Sequence, residues 1–368
     1  MRKNKRITLL GATGYTGNLI AQKLISRELK FTLAGRNSSK LSDLRDKLRI
    51  DLPVKVVDVE NPSQIIRMLE NTEILINCVG PYNLLGQIIL AKVTEKPVVY
   101  FDISGEQEFV KNSFEKNHQQ AIKTGASIVH SFAFESCLAD FLAQRIIKKG
   151  QEYKDISSFY FFNKTRPSSG TRLTMEISHL YPAYIYENSK MVNVRTFSRS
   201  KDVEFSELPG LTKALFLPYP EVLFFTKNYK VKNAGSYLLM EKNEAKFALA
   251  GLNIPKKPLK EILKRSNKRN TVLPEKEKRA LQRFILCVKT ILMDNTQKSI
   301  TLKGADMYGI TASLVSKAIE YVVKMSDVQT GVLTPAKFIN NQAFFNEIIS
   351  ECQLVLKENT DLIEFKVG

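Results

Sequence analysis

Three glycines in seven residues, Gly11-Ala12-Thr13-Gly14-Tyr15-Thr16-Gly17, follow the apolar run Arg6–Leu10 and open a helical pattern over Tyr15–Arg27. A chain turns this sharply from strand to helix, with its backbone free to approach a phosphate, only where side chains are missing. The helix start behind such a turn offers N–H donors and the positive end of its dipole. The spacing is GxxGxxG, one residue wider than GxGxxG, and alone it is also compatible with a tight turn that binds nothing. Its setting decides.

That setting is a regular alternation. Apolar, β-rich runs recur at Phe31–Ala34, Val54–Val57, Ile74–Val79, Val98–Asp102 and Ser127–Phe132, with helical patterns at Ser39–Ile50, Pro62–Asn71, Leu85–Thr94 and Glu108–Lys123 between them. The runs are apolar throughout and not alternating, as strands covered on both faces are. They predict an α/β Rossmann domain over residues 1–135, a doubly wound parallel sheet of six strands in the order 3-2-1-4-5-6. At 368 residues the chain is too long for one ordinary core. After Ala139 the rhythm breaks. Ile156–Phe162 and Val192–Phe197 read as strands, and Arg283–Met293 with Ser299–Lys303 as a hairpin across Asp294-Asn295-Thr296-Gln297. This predicts a second α+β domain over 136–304, for substrate or oligomerisation, built on a mostly antiparallel sheet. Helical patterns return at Tyr308–Met325 and, behind Thr334 as N-cap and Pro335 as first helical residue, at Ala336–Glu351. Residues 305–368 are expected to pack back on the first domain.

The second strand ends Leu33-Ala34-Gly35-Arg36-Asn37-Ser38-Ser39-Lys40. An acidic residue there would bind a ribose 2′-hydroxyl, whereas a guanidinium grips a 2′-phosphate. The expected cofactor is therefore NADP(H), held by Gly11, Ala12, Thr13, Gly14, Tyr15, Thr16 and Gly17 together with Arg36, Asn37 and Lys40; the plain alternative is that Arg36 caps a surface turn. Asp58, ending the third strand, is read either as a neighbour of the adenine edge or as a turn residue. The fourth strand runs into Val79-Gly80-Pro81-Tyr82, at the edge where open α/β sheets bind ligands. Val79, Gly80 and Pro81 are expected beside the cofactor. Tyr82 is a candidate proton donor or else a loop-packing ring. Past the fifth strand Asp102, Ser104 and Glu106 are expected to face the substrate space, with Glu106 the second candidate acid and helix capping by Ser104 or Glu106 the alternative role.

Other classes drop out. Cys78, Cys137, Cys287 and Cys352 form no CxxC pair, and His118, His130 and His179 are not at ligand spacing with them. No metal site or disulfide scaffold is expected, and the free thiols suit a cytoplasmic compartment. The start, MRKNKRITLLGATG, reads as a polar lead into a strand, not a signal peptide. The net charge of +18 is partly local, since residues 255–283 carry eleven Lys and Arg against three Glu. No finger, RNP sequence or basic heptad accompanies them, so no nucleic acid is expected; the block is a solvated face or a peripheral contact with an anionic membrane. The apolar stretch Leu211–Phe225 is broken by Lys213, Pro218, Pro220 and Glu221 and followed by Lys227, Lys230 and Lys232. It reads as a bilayer-surface segment or as a helix pair covering the second sheet.

These residues resemble the saccharopine dehydrogenase-like oxidoreductases, nearest the branch of the trans-acting enoyl reductases. The resemblance rests on GATGYTG (11–17), AGRNSSKL (34–41), INCVGPYNLLG (76–86), YFDISGE (100–106), AFESCLAD (133–140), SSGT (168–171), GADMYGITA (304–312) and GVLTPA (331–336). It implies a Rossmann domain, a following α+β domain and C-terminal helices that return to the first. It also implies NAD(P)H-dependent reduction of an enoyl, imine or keto group in a small or lipid-like substrate. A homodimer is a separate expectation for the chain. The chain departs from the branch's Gly-Phe-Asp-Ser-x-Pro-x-Asp at 133–140 and from its Ser-Gly-Gly-Thr at 168–171. Both departures leave open a catalytically silent NADP-binding regulator or a membrane-associated scaffold.

Overall fold

The computed structural model describes residues 5–163, 167–205, 208, 210–250, 258–267, 275–358 and 363–364. Part of the basic block, 255–257 and 268–274, lies outside the described residues. The chain divides into two units. The first gathers the residues up to Gly105, Phe109–Cys137 and Tyr308–Cys352; the second gathers Glu106–Glu108, Leu138–Met307 and the residues from Gln353 on.

In the first unit β1 (Ile7–Leu10), β2 (Phe31–Gly35), β3 (Val54–Val56), β4 (Ile74–Asn77), β5 (Val99–Asp102) and β6 (Ser127–Val129) run parallel in the order β3-β2-β1-β4-β5-β6. Every residue of β1, β4, β5 and β6 is buried, which is why these runs carry no polar alternation. A seventh strand, Gly331–Leu333, pairs in parallel with β6, placing Gly331 beside Ser127. The sequence presented this segment only as the lead into a helix. Thr334 does cap that helix, accepting from the Lys337 amide at 3.4 Å, with Pro335 behind it. The helix then stops at Ile339, because Asn340 turns left-handed (φ 39°) and Asn341 caps a fresh helix, Gln342–Glu351. One expected helix is thus two. The pattern Glu108–Lys123 likewise divides, at Asn117, into Gln107–Lys116 and His118–Thr124.

The helix Met307–Lys324 lies with the first unit's α1 (Tyr15–Ser26) through ion pairs. Arg27 meets Glu320 at 3.2 Å, Ser316 at 3.0 Å and, at short range, Glu351, which Lys23 also reaches at 2.9 Å. Lys5 Nζ donates to the carbonyls of Val322 and Met325, satisfying the far end of the same helix.

The second unit is built on a nine-stranded sheet. Glu152–Asn163 lies at its centre, parallel to Lys230–Glu241 and antiparallel to Arg283–Leu292. Outward follow Leu211–Phe216 and Ser200–Asp202 on one side, Gln297–Ala305 and Val355–Glu358 on the other. The hairpin Ala183–Glu187/Lys190–Val194 attaches through Tyr186 and Ala234. All but one of these pairings are antiparallel. Instead of the whole 305–368 segment returning to the first unit, Val355–Glu358 completes the second sheet. The stretch Leu211–Phe225 is no helix pair either: Leu211–Phe216 is a strand and Glu221–Asn228 a helix, with Pro218 and Pro220 between. Leu215, Phe216, Leu223, Phe224 and Phe225 are buried, so its apolar side chains form core. Among the described residues no helix is long and apolar enough to cross a membrane.

Candidate functional site

At the carboxyl end of β1 the glycines do three different jobs. Gly11 is left-handed (φ +79°), and a Cβ there would stand 2.9 Å from the Cys78 carbonyl carbon at the end of β4. The amides of Gly11 and Ala12 both donate to the Ala34 carbonyl of β2, at 2.9 and 3.2 Å. Gly17 must be bare because its Cβ would meet the Gly11 carbonyl oxygen at 2.3 Å. Gly14 takes the N-cap position of α1, exposed and with no side chain capping the helix. The turn therefore presents backbone amides and a helix dipole to an anion. Thr13 is exposed beside Gly14, Tyr15 and Thr16 are half-buried, and Ala12 is buried and offers only backbone.

Beside this turn β2 ends at Gly35, and Arg36 and Lys40 stand exposed past it. Among the described residues no carboxylate pairs with either. Asn37 has a different duty. Its side chain caps the helix Ser38–Leu48, accepting the Lys40 amide at 2.9 Å. Asp58 closes its own turn, accepting the Glu60 amide at 3.0 Å.

At the end of β4 the sequence reading needs correcting. The helix expected from Leu85 begins at Tyr82, behind a cis Gly80-Pro81 bond. As first helical residue Tyr82 turns inward, is 6% exposed and donates its hydroxyl to the Asn77 carbonyl at 3.0 Å. Burial, then the Cys78 thiol and the Asp102 charge, hold its phenol well above the usual range. Val79 donates its amide to Asn77 Oδ1 at 2.9 Å, while Gly80 is exposed and Pro81 buried. Burial and the Asp102 charge also push the Cys78 thiol up, so it is no nucleophile at neutral pH.

The structure adds a network that the sequence reading missed. Asn77 Nδ2 donates to the Tyr100 hydroxyl at 3.0 Å. Asp102, wholly buried, accepts His130 Nδ1 at 2.6 Å on one oxygen and the amides of Ser104 and Ser131, at 3.1 and 2.8 Å, on the other. Burial and then Asp102 raise the Tyr100 phenol well above its ordinary value. Side chains from the ends of β4, β5 and β6 are thus tied together beneath the ligand edge, and they fix where the loops leave the sheet. The available signal was positional: Phe101 pairs with Val129, so Asp102 and His130 are the next residues of two neighbouring parallel strands. His130 Nε2 and the Ser131 hydroxyl are buried and have no hydrogen-bond partner among the described residues.

Ser104, expected to face substrate, is buried. The two candidate acids fall in different units, Tyr82 in the first and Glu106 in the second. Glu106 is 4% exposed and accepts from the Thr174 hydroxyl at 3.4 Å. Among the described residues no group of three or more His, Cys, Asp or Glu is placed to hold a metal.

Residues 11–113 match the NAD(P)H-binding family model. The chain is 34% identical over 151 residues to the trans-acting enoyl reductase of Mycobacterium ulcerans (strain Agy99), covering 40% of this chain and 36% of that protein. It is 33% identical over 148 residues to the trans-acting enoyl reductase of Mycobacterium leprae (strain TN), covering 39% of this chain and 35% of that one. These matches span only about a third of the relatives' length. The fold is similar over nearly the whole chain to apo saccharopine dehydrogenase (L-Glu forming) from Saccharomyces cerevisiae, with a TM-score of 0.63, 12% identity, and 96% and 99% of the two chains covered. In fold the chain is thus similar to saccharopine dehydrogenase, and in the sequence of its nucleotide-binding part to the trans-acting enoyl reductases.

Proposed function

We propose that the chain is an oxidoreductase that uses NADPH to reduce an enoyl, imine or keto group of a small or lipid-like substrate. The observation that carries this reading is the end of β2, where Arg36 and Lys40 stand exposed, with no carboxylate partner among the described residues, beside the bare, uncapped turn of Gly14. An acidic residue there would repel a 2′-phosphate; a guanidinium binds it with charge-assisted hydrogen bonds. The donor set fits a phosphorylated dinucleotide. Amides of the Gly11–Gly17 turn would hold its pyrophosphate, Arg36 and Lys40 its 2′-phosphate, and Val79-Gly80-Pro81 would line its nicotinamide side. When bound, the cofactor supplies the hydride. The chain's own part is to bind and orient it and to furnish a proton. Tyr82 is poorly suited to that last task, since its hydroxyl is buried and already donates to Asn77. Any contact with an anionic bilayer would rest on exposed lysines such as Lys227, Lys230 and Lys232, because the neighbouring aromatics are core.

Arg36→Ala is expected to weaken NADPH by about 1.5–3 kcal/mol, the range for hydrogen bonds to a charged group, and to leave NADH nearly unchanged. Fluorescence titration with both nucleotides checks this. An equal loss for both would assign Arg36 to the fold and remove the NADP preference. Tyr82→Phe is expected to lower stability by about 1 kcal/mol, the net worth of one hydrogen bond, with NADPH affinity intact. Thermal unfolding and the same titration measure both; an affinity loss in a stable variant would return the hydroxyl to the ligand. If wild-type chain binds NADPH yet oxidises it with no enoyl, imine or keto compound, the regulator reading replaces the reductase.

A further inference from the structure

The start of the helix Met307–Lys324 brings a residue from the far end of the chain to the glycine turn. Tyr308 sets its ring edge-on against Tyr15, with centroids 4.9 Å apart and planes at 81°, and both rings are half-buried. Tyr15 is the first residue of α1, directly behind the uncapped Gly14. Three residues further along the helix, Thr311 accepts the amide of Phe134 at 3.1 Å, in the chain leaving β6. Residues 308–311 therefore reach from the mouth of β1 to the exit of β6, on the opposite side of the turn from Arg36. A dinucleotide with its 2′-phosphate at Arg36 and its pyrophosphate on the glycines directs its nicotinamide half across this same side. The body of the helix is already fixed by Arg27 and Lys5, so the aromatic pair is not needed to hold it down.

We propose that Tyr308 is a cofactor-binding residue, packing with Tyr15 against the nicotinamide-side phosphate and riboside of the bound nucleotide. The ring offers an apolar face to the sugar, and the hydroxyl is a group that can bond to a phosphate or a ribose. The site is completed by a segment some two hundred residues beyond the nucleotide-binding match at 11–113. This inference rests on the NAD(P)H reading above.

The test titrates full-length chain by fluorescence with NADPH and NADH, and by calorimetry with adenosine 2′,5′-bisphosphate, which lacks the nicotinamide half. Tyr308→Ala is expected to weaken both dinucleotides about tenfold, the scale of one aromatic contact with its hydrogen bond, and to leave the bisphosphate unchanged. Tyr308→Leu keeps apolar volume against Tyr15 and carries the same test if the alanine variant does not fold. Equal weakening of all three ligands would show that Tyr308 acts only through the fold, and unchanged affinity for all three would remove it from the site; either overturns the proposal. A wild-type chain that binds the bisphosphate but neither dinucleotide more tightly would overturn it too, while leaving Arg36 its role. Wild-type chain that binds none of the three would overturn the NADPH reading along with it.

Discussion

Replacing Asp102 with alanine is expected to lower the stability of the chain by about 3–5 kcal/mol, since three buried donors lose their acceptor at about 1–3 kcal/mol each. The carboxylate is wholly buried and takes three N–H donors, from His130, Ser104 and Ser131. Alanine leaves all three in the interior with no water to replace the lost acceptor, and each orphaned donor adds its own desolvation penalty. His130→Ala alone removes one of those donors and should be milder. In the double variant His130 no longer needs a partner, so the two losses should fall short of additive by more than 1 kcal/mol. Denaturant unfolding of the four proteins measures that coupling. Simple additivity would mean that the two side chains pack independently and that the strand ends are held by backbone pairing alone.

The same residues show where sequence reading stops. The parallel sheet was legible because Ile7–Leu10 and Ile74–Asn77 are apolar throughout, and only strands covered on both faces afford that. Gly331–Leu333 escaped for the opposite reason. It is three residues long, its partner Ser127–Val129 lies far away in sequence, and the strong local cap at Thr334-Pro335 dominated the pattern. In Leu211–Phe225 hydrophobicity outweighed the proline pair that separates strand from helix.

For the site, contiguity set the limit. The glycine turn could be read because it lies within seven adjacent residues and needs bare backbone at Gly11 and Gly17. Tyr82 was misplaced by a helix start only three residues off, enough to turn its hydroxyl from a loop into the interior. Asn37 was read only as a cofactor residue, and its side chain also caps the helix that follows. The Asp102–His130 pair depends on strand register, and the Tyr15–Tyr308 contact on how the last helices fold back. Neither is a property of any local stretch.

Lys289 should make the second unit more stable as the solution becomes more alkaline. The residue lies in the middle strand pair of the sheet, beside Ser157 and two positions from Cys287, and only 2% of it is exposed. Nearby, Lys201 stays charged: burial pulls its ammonium down, but Asp155 at 3.0 Å and then Tyr237 hold it above its ordinary value. Lys289 is pushed down to about 8, first by burial, with the like charge of Lys201 adding to it and Cys287 and Asp155 opposing. In the unfolded chain its amine returns to the ordinary 10.5. Between these two values the unfolded chain binds the extra proton, so stability rises with pH across that window. Below about pH 8 both states are charged and the folded one carries the full penalty, about 3 kcal/mol for the whole shift and about 2 kcal/mol after screening. Lys289→Met, similar in length and apolar, should therefore be the more stable protein at pH 7 by about 2 kcal/mol. Its advantage should shrink steadily from pH 8 to pH 10. Tyrosines whose values are raised, Tyr237 among them, bend both curves at higher pH, so the difference between the two proteins is the quantity to follow. Urea unfolding at pH 7, 8, 9 and 10 supplies it. A constant difference would show that Lys289 keeps an ordinary charge in the fold, paired by a neighbour well enough to offset its burial.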